Sequence, residues 1–122
     1  MDDILKQIEK IKYQLRLIAD TLDHVQYPIE ALVIELDWSS EDLDAAHDIF
    51  EEADIKLEKK ELVNWTEFEL KLESRFGIGY QTVKDIVLAF YHNQQWGNVC
   101  RGYAKEHDVI EFKEINYGKN DM

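Results

Sequence analysis

Apolar residues recur at steps of three and four from Ile4 to about residue 104, the interval at which side chains return to one face of an α-helix. One Pro and five Gly are all that interrupt this pattern. The chain is therefore predicted to be all-α, a bundle of about five to six helices in a single domain over residues 1–106. The first element has the most regular pattern. Ile4, Ile8, Ile11, Leu15, Ile18, Leu22 and Val25 are spaced 4, 3, 4, 3, 4 and 3 apart, a heptad seam on a helix over residues 3–26. His24 near its end and Tyr27-Pro28 beyond it form the predicted stop, since Pro disfavours helical geometry in the residue before it.

Pro28 is suited to the first turn of a second helix, to about Leu36, carrying Ala31-Leu32-Val33-Ile34. Asp37-Trp38-Ser39-Ser40 reads as a turn ending in an N-cap, with Glu41 and Asp42 favouring the dipole of the helix that follows. Leu43, Ala46, Phe50, Ala53 and Leu57 give that third helix one apolar stripe, and it is expected to fray near residues 59–62. Thr66-Glu67-Phe68-Glu69 has capping-box spacing and is expected to open a fourth helix, with Phe68, Leu70, Leu72 and Phe76, ended by Gly77 and Gly79. Val83, Ile86, Val87, Leu88, Ala89, Phe90 and Tyr91 make a fifth helix apolar on nearly every side, which places it at the centre of the core. A short sixth helix is expected from Gly97 to Lys105. The imperfect alternation after His107 reads as an extended or disordered tail over residues 107–122.

The order and spacing of these segments carry a resemblance. The heptad helix, Tyr27-Pro28, Ala31-Leu32-Val33-Ile34, Ser40-Glu41-Asp42, Trp65-Thr66-Glu67-Phe68 and Leu88-Ala89-Phe90-Tyr91 together resemble the YhaI-like family of small proteins from Bacillus-type bacteria, over roughly Ile8 to Ala104. The resemblance implies an all-helical fold. That family has no assigned activity, so no catalytic or binding residue is carried over, and the tail from His107 departs from its pattern.

Composition changes the picture through charge. The net charge of −12 is concentrated between Ile29 and Glu73, where 15 acids face four lysines; the rest of the chain is nearly neutral. Direct binding to nucleic acid calls for a basic face, and none is visible; an acidic chain is equally unsuited to an anionic membrane. The lone Cys100 permits no internal disulfide, and the acidic Met1-Asp2-Asp3 start lacks the basic character of a secretory signal, so the expected compartment is the cytoplasm.

Leu at the a positions (Ile8 excepted) and Ile at d favour three or four strands, so the seam residues Ile4, Ile8, Ile11, Leu15, Ile18, Leu22 and Val25 are expected to form a homotrimer or tetramer. Asp44, Asp48 and Glu51, with Trp38 in the preceding turn, are the expected docking residues for a basic protein partner. Asp44, His47, Asp48 and Glu51 share a helical sector and offer a ligand set that Mn, Fe or Zn accepts, although a dimetal bundle requires Glu-x-x-His on two helices. Asp20 and His24 are expected to pair at i, i+4 near the helix end. Cys100 reads as a small core residue, and Gly77-Ile78-Gly79 lacks the preceding strand and following Lys of a phosphate loop. The expectation is a small, non-enzymatic, oligomeric interaction or regulatory protein without cofactor. A metal-dependent helical enzyme and an acidic mimic of nucleic acid stand as the alternatives.

Overall fold

The computed structural model describes residues 2–107 and 109–117. Among these, seven α-helices and one 3₁₀ turn occur and no strand: α1 Asp2–Thr21, α2 Pro28–Glu35, α3 Ser40–Glu58, α4 Trp65–Phe76, α5 Tyr80–His92, α6 Gly97–Glu106, the turn Ile110–Phe112, and α7 Lys113–Tyr117. The all-α bundle expected from the periodicity is the observed fold.

Helix ends follow local chemistry. Ser39 caps α3: its hydroxyl accepts from the Asp42 N–H at 3.2 Å while the Asp42 carboxylate accepts from the Ser39 N–H at 2.9 Å. Those hydrogen bonds, foremost that from the Ser39 backbone, hold the Asp42 carboxyl below its ordinary pKa. At α4 the expected cap is corrected. Asn64, not Thr66, accepts from the Glu67 N–H, so α4 starts at Trp65 and Thr66 lies in its first turn. Gly77 closes α4 in the left-handed region at φ 62°, whereas Gly79 is extended and begins α5 instead of ending α4.

α1 ends at Thr21, short of residue 26. The Asp23 side chain accepts from the N–H groups of Val25 and Gln26, and this turn competes with helical hydrogen bonding. Val25 is therefore off the helix. His24 is too, and its imidazole lies 3.6 Å from Glu35 instead of pairing with Asp20.

α5 occupies the centre. It packs against α2, α4, α6 and the 110–112 turn, with Val83, Ile86, Val87 and Phe90 fully buried. α3 adds Ala46, Phe50 and Ala53, α4 adds Phe68 and Leu72, and α6 adds Val99, Cys100, Tyr103 and Ala104. Phe50 lies 4.6 Å from Phe90 and 5.0 Å from Phe68 between ring centroids, and each such buried side chain contributes roughly 1.5–3 kcal/mol.

The expected extended or disordered tail is corrected over residues 109–117, which fold back as the 3₁₀ turn and α7. Phe112 and Ile115 enter the core, and the Asn116 amide donates to the Ala104 carbonyl at 3.0 Å. The physical reason is the apolar pair itself: three residues apart, both side chains reach one face of a helical turn. Residue 108 and residues 118–122 of the expected tail lie outside the described residues.

Candidate interaction surfaces

α1 packs on α2, and Ala19, near the carboxyl end, is the one buried residue of α1. In the heptad register Ala19 is an e position, so contact with the body uses the helix flank. The a and d seam is left open. Ile4, Ile8, Ile11, Leu15 and Ile18 are 42–59% exposed, and Leu5, Tyr13 and Leu17 on the same helix are also exposed. Leu22 is half-buried past the helix end, and Val25 is exposed in the turn. A 20-residue helix is about 30 Å long, and a stripe of this length exceeds the scattered apolar residues ordinary on a monomer's surface. Of the seven expected interface residues, the first five thus share one open helical stripe, and Leu22 and Val25 do not continue it.

Asp44, Asp48 and Glu51 lie exposed on α3. The bases nearby on α4 are engaged elsewhere: Arg75 with Asp42 at 3.2 Å, and Lys71 with Glu52 and Glu67. The Glu52 contact, foremost, raises the Lys71 pKa and, in return, lowers that of Glu52. Asp44, Asp48 and Glu51 have no ion pair among the described residues. Trp38 is half-buried, its ring 4.5 Å from Phe76, and fastens the turn before α3 to the end of α4.

His47 shares the sector of Asp44 and Asp48 by register, yet its ring belongs to the core. Its Nδ1 accepts from the Trp96 indole N–H at 3.0 Å, and Phe90 lies 5.0 Å away. No group of three or more metal-ligating side chains comes together among the described residues, so the sector does not assemble into the ligand set that its spacing allows. Trp96, with φ +54° just before α6, supplies the partner that sequence spacing could not reveal. Cys100 is buried, its Sγ near the Val87 carbonyl at 3.5 Å, and burial pushes its thiol up to about 12, which leaves no reactive thiolate near neutral pH.

Two polar groupings escaped sequence reasoning because their members are far apart in the chain. Glu69 accepts from the Tyr103 hydroxyl and lies 2.9 Å from His107 Nε2, while His107 Nδ1 is 2.9 Å from the Tyr103 carbonyl and the imidazole stacks on the Tyr103 ring at 4.1 Å. Burial first, and then Glu69, push the Tyr103 hydroxyl well above the ordinary tyrosine range, so it is a donor and not a nucleophile. This grouping fastens the chain reversal after α6. The second grouping lines a cavity of about 330 Å³ between α2 and α5, with His24, Glu35, Asp85 and His92 above Leu32, Leu88 and Ala89. Its histidines are paired, His24 with Glu35 and His92 with Glu114 at 2.9 Å, and burial raises the pKa of Asp85.

No family model, curated protein or solved structure matches the chain. Among the described residues no helix is long and apolar enough to cross a membrane.

Proposed function

We propose that this protein is a small, non-catalytic cytosolic docking protein that assembles with copies of itself through α1 and presents the acidic face of α3 to a basic protein partner. The observation that carries the reading is the open seam of α1. Its Ile and Leu side chains stand in coiled-coil register while the rest of the chain builds its core without them. Packing such a stripe against its own copies removes apolar surface from water at roughly 25 cal/mol per Å². The residue on the flank away from α2 is Gln7, Gln14 or Thr21 in successive heptads, so no like charges oppose association there. Ile8 and Leu15 at a, with Ile4, Ile11 and Ile18 at d, favour three or four strands. The unpaired carboxylates of Asp44, Asp48 and Glu51 support the second half of the reading, through steering of a cationic surface.

Sedimentation equilibrium of the full chain tests the assembly. The expected molar mass is three or four times 14.5 kDa, falling to that of one chain in Ile11→Asp. A single-chain mass for the unmodified protein at micromolar concentration sinks the reading.

A further inference from the structure

The groove between α3 and α4 combines an apolar floor with a charged rim that holds Asp48, Glu67, Lys71 and Arg75. Ala45, Ile49 and Leu70 line it beside Asp48 and Glu67, and its volume is about 600 Å³. Leu70 is 57% exposed although Phe68 and Leu72, two residues to either side, are buried in the core. The contacts of Asp42 with Arg75 and of Glu52 with Lys71 show that the two helices run antiparallel, and the groove lies between residues 45–49 of α3 and 67–75 of α4. Along α4 the lining runs from Glu67 to Arg75, about 12 Å, enough for two turns of a docked helix. Both cations in the lining, Lys71 and Arg75, are already paired with carboxylates of the same chain, while Asp48 in the lining and Asp44 and Glu51 one turn to either side of it on α3 have no ion pair among the described residues.

We propose that this groove is the docking site for a basic amphipathic helix of a partner protein, with aliphatic side chains on the floor of Leu70, Ile49 and Ala45 and Lys or Arg side chains against Asp44, Asp48 and Glu51. The inference rests on the acidic-face reading above and adds the shape and class of the partner. A helix laid into a groove is recognised through apolar anchors at i, i+3, i+4 and i+7, and the charge of the rim selects the flanking residues. A second copy's α1 fits less well, because its seam is flanked by Gln7, Gln14, Thr21 and only one cation, Lys12. A nucleic acid is repelled by the same carboxylates.

The test is fluorescence anisotropy of a labelled Leu/Lys peptide of helical period, titrated with the full-length protein. Saturable binding of one peptide per chain, weakened by salt, is expected. Leu70→Asn is expected to weaken it by about tenfold or more, equivalent to about 1.4 kcal/mol. Leu62→Asn, which alters a leucine that is 97% exposed outside the groove, is expected to leave it unchanged. Equal binding of a scrambled peptide without the helical period, loss in Ile11→Asp in place of Leu70→Asn, or equal loss in both leucine variants overturns the proposal. Loss on reversing Asp44, Asp48 and Glu51 to Lys with Leu70→Asn silent overturns the groove and leaves the acidic face standing. Binding indifferent to all of these changes overturns both.

Discussion

In α5, Val83, Ile86, Val87 and Phe90 are withdrawn from solvent completely, whereas Ile4, Ile8, Ile11, Leu15 and Ile18 of α1 keep 42–59% of their surface. Both helices carry aliphatic residues at helical spacing. They differ in what surrounds the stripe. α5 is apolar on nearly every side, so several neighbours cover it, whereas α1 has one a/d seam flanked by Gln7, Lys12, Gln14 and Thr21, with Lys10 and Arg16 on its far side. A helix with a single seam needs cover along that seam only, and the α2 contact through Ala19 does not supply it. The seam of α1 is thus apolar surface that the body leaves uncovered, and burial of α5 makes it part of the folding core.

The contrast can be broken from either side. The largest effect is expected at the centre: Phe90→Ala, which removes a fully buried ring beside Phe50, should cost about 3–5 kcal/mol in calorimetric or denaturant unfolding. A cost below about 1 kcal/mol would remove α5 from the core. Gly102→Ala comes next. A β-carbon there would stand 2.5 Å from Trp65 Cζ2, and Trp65 is held edge-on by Phe68 and Tyr103, so overpacking of about 1–3 kcal/mol is expected in the same measurement. Trp96→Phe keeps an aromatic ring but removes the N–H donated to His47 Nδ1, with an expected loss of about 1 kcal/mol and an altered His47 resonance by NMR. The smallest effect belongs to α1. In dilute solution, where only single chains are present, Ile11→Asp should change the unfolding free energy of the body by no more than about 0.5 kcal/mol. A loss of several kcal/mol would make α1 part of the folding unit and end the distinction between the two helices.

Much of the fold was legible from residues close in sequence. Pro28 at the start of α2 and the left-handed Gly77 after α4 depend on contacts within four residues, so pattern and local chemistry locate them, while at α3 the expected turn is present but its cap is Ser39 with Asp42, one residue before the expected Ser40. Local signals failed where two of them competed. The Thr66 capping pattern gave way to Asn64, two residues earlier, and the apparent run of α1 to residue 26 gave way to the Asp23 turn. Among the candidate site residues, the α1 seam and the exposure of Asp44, Asp48 and Glu51 follow from periodicity. Leu70 shows the converse. It reads as one apolar member of α4, yet two-residue spacing from Phe68 and Leu72 turns it away from the core.

The sequence by itself determined that this chain is helical, where most helices begin and end, that one region is strongly acidic, and that its first helix carries a coiled-coil seam. These properties live in spacing, caps and composition, whose physical range is a few residues or a simple sum. Only the tertiary structure decided that His47 turns to Trp96 and away from the carboxylates, that Glu69, Tyr103 and His107 meet, that residues 110–117 close the core, and that Leu70 floors an open groove. Those outcomes depend on side chains brought together from distant parts of the chain, and periodicity specifies the face of each helix but not the neighbour that covers it.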